Sequence, residues 1–190
     1  MIKKVCGLQD ADSIQQAIQQ GAQWIGLHFT PTLPHCVSML PTHAGIIPDR
    51  GSLNDEATQR IPKKVGVFLD DMPQNIITRI FGYQLDLVQL DGHETPTMIR
   101  NLRRTLDPDI RPGIQFIKTI TVSQPADLDS CKPYTDCVDY FMFRLHDAAS
   151  LFLLNDYTST IPFLVDGLSP EDLHTFRHTQ FAGINIDYHQ

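Results

Sequence analysis

The stretch from Lys64 to Glu94, KVGVFLDDMPQNIITRIFGYQLDLVQLDGHE, carries the grammar that decides the fold. Its opening, Lys64 to Leu69, is too short and too continuously apolar for a surface helix, and predicts a strand buried on both faces. The segment DMPQNIITRIFGYQ then places Pro73 in a first helical turn, lines Ile76, Ile77 and Ile80 along one face, and offers Gly82 as a stop. A second apolar run, Leu85 to Leu90, follows at once. Strand, helix and strand in this order form the unit of a parallel sheet, because parallel neighbours need a crossover connection.

The same grammar extends in both directions. In DADSIQQAIQQGAQ, Asp10 or Asp12 can cap a helix whose buried stripe is Ile14, Ala17 and Ile18, with Gly21 at its end. In GLSPEDLHTFRH, Ser169 is the cap, Pro170 takes the first position, Glu171 and Asp172 sit near the positive helix end, and Leu173 and Phe176 face inward. Further strands are expected near Lys4 to Leu8, Trp24 to Phe29, Gln115 to Val122, Val138 to Phe143, Pro162 to Val165 and Ala182 to Ile186. About eight such units favour a (β/α)8 TIM barrel over an open doubly wound sheet, which more often has five or six strands. The pattern implies one domain over residues 1–190. Residues 38–62 read as a weak helix plus a polar loop. The chain stops soon after the last strand, so the expectation is a barrel lacking its final C-terminal helix. The wall left open would need a cover, and a second copy of the chain, in a homodimer, is one candidate.

Composition narrows the function classes. A net charge of -7, with 15 Lys and Arg scattered along the chain, argues against a nucleic-acid partner. The four cysteines, Cys6, Cys36, Cys131 and Cys137, have neither CxxC spacing nor the density of a disulfide scaffold, which suits a reduced cytoplasmic setting. MIKKVCGLQD at the amino terminus lacks the apolar core of a signal peptide. No apolar run approaches the roughly 20 residues that span a bilayer.

Barrel enzymes carry their chemistry at the carboxyl ends of the strands. Those ends here hold Cys6, His28, Asp91 and His93, Arg144 and His146, Asp166, and Asp187 with His189. Most are individually compatible with solvated loop positions. A run ending in VDYFMFRLHD, from Val138 to Asp147, stands out because a buried strand gives way abruptly to charge.

Taken together and in order, KVCGL, GAQWIGLHF leading to LPHCVS, KKVGVFL, LDLVQLDGHE, IKTITV, VDYFMF and PFLVDGLSPEDL resemble the phosphoribosylanthranilate isomerases of tryptophan biosynthesis over nearly the whole chain. The resemblance implies a (β/α)8 barrel that performs an Amadori rearrangement of N-(5'-phosphoribosyl)anthranilate with no metal and no organic cofactor. It also implies two proton-transfer groups: a cysteine ending the first strand as general base at the sugar C2', and an aspartate ending the sixth as general acid at the ring oxygen. Cys6 matches the base. Arg144 stands where the family has its acid, and a guanidinium with a pKa above about 12 cannot donate a proton at neutral pH.

Other positions depart as well. Where the family places an arginine against the anthranilate carboxylate, LPHCVS has His35, which lacks the bidentate fork. The family's QLHGDE reads QLDGHE, exchanging Asp91 and His93. Its phosphate-binding glycines after the seventh strand have become Val165, Asp166 and Gly167, and its SSG stretch after the eighth has become NIDYHQ with Asp187, so carboxylates face a dianionic ligand. The glycine-rich loop after the sixth strand is replaced by LHDAASLF.

Three functions remain open on this sequence. One is a working isomerase whose acid has moved to Asp147 or Asp91. Another is a barrel that kept the fold and lost the isomerase, binding a different and unphosphorylated small molecule at the C-terminal face or a protein partner, with Arg144 either clamping an anion or paired with Asp166 or Asp187. The third is a metal protein: His28, His93, His146 and His189 with Cys6, Asp91 and Asp187 are suitable ligand types, but they are scattered without a short-spaced motif, so no metal is assigned. His174 and His178, spaced i and i+4, read as a solvated face of the seventh helix.

Overall fold

The computed structural model describes residues 1–8, 10–30, 36–37, 61–107, 109–168 and 176–188. Within them lie eight strands: β1 Ile2–Cys6, β2 Trp24–His28, β3 Lys63–Phe68, β4 Leu87–Leu90, β5 Gln115–Val122, β6 Tyr140–Leu145, β7 Phe163–Asp166 and β8 Phe181–Asp187. Each pairs in parallel with its neighbours, and β8 closes on β1 with Cys6 opposite Asp187, so the sheet is a closed barrel in chain order.

Three α-helices cover the outside among the described residues: α1 Ala11–Gln19, α2 Pro73–Tyr83 and α3 Pro96–Leu106. Asp10 is the cap of α1, accepting from the Ser13 N–H at 2.8 Å, and Gly21 beyond its end has φ +83°. In α2, Pro73 opens the helix as expected, but Gly82 lies inside it. The turn out is made by Gln84 at φ 51° and ψ 52°, the left-handed conformation that frees the chain to enter β4.

The connections after β5 and β6 differ from the expected α-helices. Pro125–Tyr134 and Ala148–Asp156 are 3-10 helical. The tighter winding rises about 2.0 Å per residue against 1.5 Å in an α-helix. A segment of nine or ten residues thus returns farther along the barrel wall than an α-helix of equal length. Pro133 near the end of the first segment also lacks the amide a longer α-helix would need. Residues 38–60 and the helix expected after β7, over 169–175, lie outside the described residues, as do His35, His174 and His189.

Strand pleating divides the core in two. Outward positions such as Ile25, Val88, Phe116, Phe141, Phe143, Val165 and Ile184 pack under the helices. Inward positions Trp24, Val65, Leu87, Ile117, Met142 and Leu164 form a separate cluster that fills the lower barrel. An aromatic group of Phe143, Tyr157, Phe163, Phe176 and Phe181 packs outside β6 to β8. His178 belongs to it: its ring centroid is 5.2 Å from that of Phe163, and its Nε2 lies 3.1 Å from the Tyr157 carbonyl. The expected solvated helix face is thereby corrected, because residues 176–178 are not helical and the imidazole is half-buried against apolar rings.

Candidate active site

Above the apolar floor, the two-residue alternation of each strand turns polar. Lys4, Gln89, Thr119 and Asn185 are all buried, and each lies one to three residues before the end of its strand. Cys6, His28, Asp91, Arg144, Asp166 and Asp187 come next, each within one residue of its strand's carboxyl end. The sequence had singled out this upper ring and missed the one beneath it. The signal was available: a polar residue two positions before a strand-end residue shares its face.

The two rings form one hydrogen-bonded chain. Arg144 donates through Nη2 to Asp91 Oδ2 at 3.0 Å and through Nε to Asp166 Oδ2 at 2.9 Å. Asp166 Oδ1 accepts from Asn185 Nδ2 at 2.6 Å. Asn185 Oδ1 in turn accepts from Lys4 Nζ at 2.8 Å, and Lys4 Nζ lies 2.6 Å from Cys6 Sγ. On the far side, Asp91 Oδ1 accepts from Gln89 Nε2 at 2.8 Å and from Thr119 Oγ1 at 2.5 Å. Arg144 is therefore an ion-pair partner, and its carboxylates are Asp91 and Asp166; no bond to Asp187 is among its contacts.

These contacts set the charge states. Burial pushes the Cys6 thiol up, against the opposing pull of the Lys4 ammonium. Burial also lowers His28, helped by the nearby Lys4 charge, so its imidazole is neutral at pH 7. Burial works to raise Asp91, but the Thr119 hydroxyl, the Arg144 charge and the Gln89 amide together hold its carboxyl below the ordinary range. Arg144 loses solvation yet is raised by the two carboxylates, and it stays charged.

Not every expected residue reaches this ring. Asp147 Oδ1 accepts from the Ser150 N–H at 2.8 Å and the Ser150 hydroxyl at 2.7 Å, capping the 3-10 segment that follows β6. Those bonds lower its pKa, so Asp147 is ionised and occupied at neutral pH. His146 beside it is 90% exposed. The side chain of His93 is 96% exposed, and its Nδ1 is 3.0 Å from Asp70 Oδ2. Gly167, at φ +79°, sits at the end of β7, but its N–H already donates to the Asn185 carbonyl at 3.3 Å.

Cys6 and Lys4 fit side by side because β2 contributes Gly26 to the same level. A Cβ there would lie 2.2 Å from Cys6 Sγ and 3.1 Å from Lys4 Nζ. Gly26→Ala is expected to cost about 1–3 kcal/mol, the usual range for overpacking a filled interior. Urea unfolding of the variant beside wild type measures it; an unchanged midpoint would mean the Cys6 side chain has room to turn away.

The comparisons with known proteins agree with this architecture. Residues 3–146 match the family model described as N-(5'phosphoribosyl)anthranilate (PRA) isomerase. The N-(5'-phosphoribosyl)anthranilate isomerase of Phocaeicola vulgatus is 30% identical over 98% of this chain and 87% of its own length. That of Parabacteroides distasonis is 29% identical over 98% of this chain and 83% of its own. Among solved structures, phosphoribosyl anthranilate isomerase from Thermus thermophilus superimposes with a TM-score of 0.71 at 16% identity, over 98% of this chain and 87% of that one. A phosphoribosyl anthranilate isomerase in complex with reduced 1-(o-carboxyphenylamino)-1-deoxyribulose 5-phosphate gives 0.69 at 19% identity, with the same coverage. The structural likenesses carry the fold, and the sequence match carries the family. This chain belongs to the N-(5'-phosphoribosyl)anthranilate isomerase family.

Proposed function

We propose that this family member keeps the isomerase barrel and its base position, but catalyses the Amadori rearrangement of N-(5'-phosphoribosyl)anthranilate weakly or not at all. The observation that carries this reading is Arg144, held between Asp91 and Asp166 at the position that corresponds to the family's general acid. The rearrangement requires a proton delivered to the furanose ring oxygen as the ring opens, then removal of the C2' proton by the base. Arg144 has no proton to give at neutral pH. Asp91 is ion-paired and held ionised, and Asp147 caps a helix, so neither neighbour is poised to replace the acid.

The phosphate end supports the same conclusion. Asp166 and Asp187 place carboxylates where a dianion would lie, and the Gly167 N–H is already taken by Asn185. This charge pattern favours a second reading, in which the C-terminal face binds a small molecule without a phosphate. Among the described residues no helix is long and apolar enough to cross a membrane. All four cysteines are free, which supports a reduced cytoplasmic setting.

Turnover of enzymatically generated phosphoribosylanthranilate, followed by the loss of its fluorescence, tests the proposal with wild type beside Cys6→Ala. The two proteins are expected to be alike and near background. Robust wild-type turnover that vanishes in Cys6→Ala would overturn it and show that the acid has moved.

A further inference from the structure

One side chain at the barrel mouth is left without a use by the isomerase geometry. His28, at the end of β2, has both ring nitrogens shielded from solvent, and neither has a hydrogen-bond partner. A neutral imidazole carries one donor and one acceptor, and leaving both unmet inside a protein is unfavourable unless something else occupies them. Gln89 Oε1 is the other buried side-chain atom without a partner among the described residues, and it belongs to a side chain whose amide is already engaged by Asp91.

The surroundings of His28 say what fits. Strand register puts Cys6 directly opposite Asp187 across the β1–β8 seam, and β2 brings His28 alongside from the other edge of β1. One donor atom from each of Cys6, His28 and Asp187 falls within 4.8 Å of the others. Ligands on a tetrahedral zinc ion, bonded at 2.0–2.3 Å, lie about 3.4 Å apart, so closing this triangle takes side-chain movements on the order of 1 Å. We propose that Cys6, His28 and Asp187 form a binding site for a single divalent metal ion of the zinc class, with its fourth position open to solvent at the barrel mouth.

The donor chemistry supports that class. Thiolate, imidazole and carboxylate together suit zinc or cobalt rather than magnesium or calcium, which favour oxygen. Three protein ligands with an open fourth position is the arrangement of catalytic rather than structural zinc, and the exposed Asp187 marks the open side. Coordination releases the Cys6 thiol proton to solvent, since the thiolate is the ligand.

Lys4, 2.6 Å from Cys6 Sγ, is the obvious objection, because it is a cation beside a cation site. A metal-bound thiolate still accepts N–H donors, and such outer contacts orient ligating groups. Lys4 also keeps Asn185 Oδ1 as a second acceptor at 2.8 Å. The wider charge balance favours the ion: Lys4 and Arg144 face Asp91, Asp166 and Asp187, and a Cys6 thiolate makes the negative excess two, which one divalent cation cancels.

The test uses untagged full-length protein freed of metal by a chelator, then dialysed against Zn²⁺ and, separately, titrated with Co²⁺ as a spectroscopic probe. Wild type is expected to retain one zinc per chain and, with Co²⁺, to show a thiolate charge-transfer band. Cys6→Ser should abolish that band. His28→Gln and Asp187→Asn should each weaken binding by at least about 10-fold, the smallest effect usual even for outer-shell partners. Cys36→Ser, which removes the thiol on the strand bridge beside His28, should leave binding intact. Absence of bound metal in wild type, or a band that survives Cys6→Ser, would overturn the proposal. Should Cys6→Ser fail to fold by circular dichroism, His28→Gln decides in its place, unchanged affinity being the overturning result. Because the readout is bound metal, the outcome is independent of whether the isomerase reaction is detected.

Discussion

Replacing Glu94 by alanine is expected to lower stability by about 3–5 kcal/mol, the range for removing one partner of a buried ion pair. The Glu94 side chain is 1% exposed and that of Lys118 is 3% exposed, with Nζ and Oε2 3.0 Å apart. Lys118 Nζ also donates to the Leu90 carbonyl at 3.1 Å and the Gly92 carbonyl at 2.5 Å. Glu94 Oε1 accepts from the Asp70 N–H at 2.9 Å, and Oε2 from the Gly92 N–H at 3.1 Å. This one carboxylate thus ties the turn after β3, the turn after β4 and the middle of β5. Its loss strands an ammonium among carbonyls and leaves two amides without acceptors, which is why the cost exceeds that of an exposed pair. Urea unfolding gives the number, provided the m value is unchanged. Lys118→Met in the alanine background should recover part of the loss, because the uncompensated charge is then gone. A loss below about 1 kcal/mol would mean that water reaches Lys118 in the variant. Asp91 sits on the same turn, so the variant also loosens one of the two carboxylates that hold Arg144.

Glu94 also shows where the sequence stops being legible. All eight strands could be located from apolar runs, because parallel strands buried on both faces leave a signal in their own residues. The ring of polar side chains at the strand ends followed from the barrel's general geometry. Pairings across the barrel did not follow. Charge alone pairs Arg144 on β6 with Asp166, as found, or with Asp187, but its second carboxylate, Asp91 across β5, carried no such sign. That contact depends on strand tilt and stagger, which no local pattern encodes. Lys118 and Glu94 escaped notice for a related reason: a lysine inside an apolar strand looks like a solvated position until the loop that covers it is known. The 3-10 connections were not anticipated, although neither repeats its apolar residues at the spacing of a helix face: Pro125–Tyr134 is broken by Pro133, and Ala148–Asp156 is apolar nearly all round.

Arg144→Asp is expected to raise turnover of phosphoribosylanthranilate by about 100-fold over wild type, the lower end of what a positioned general acid contributes. The substitution returns a carboxyl to the acid's place, and the surroundings suit that task. Asp91 and Asp166, now freed from the guanidinium, lie where two bonds of 3.0 and 2.9 Å used to hold it. Like charges this close cannot all ionise, so the new carboxyl would titrate upwards, towards the near-neutral value that proton donation requires. The gain should appear in kcat, while KM rises, since Asp166 loses its guanidinium partner and the mouth becomes more negative towards a dianionic substrate. Arg144→Asn is the control: it removes the same ion pairs but supplies no proton, and it should show no gain. Adding Cys6→Ala to Arg144→Asp should erase the gain entirely, because acid and base act on successive steps of one reaction. Equal rates for Arg144→Asp and Arg144→Asn would place the block elsewhere. It would then lie at the end of β7 and β8, where the Gly167 N–H is bound to the Asn185 carbonyl and Asp166 and Asp187 oppose a dianion. A barrel with its acid restored would still have nothing to hold the phosphate.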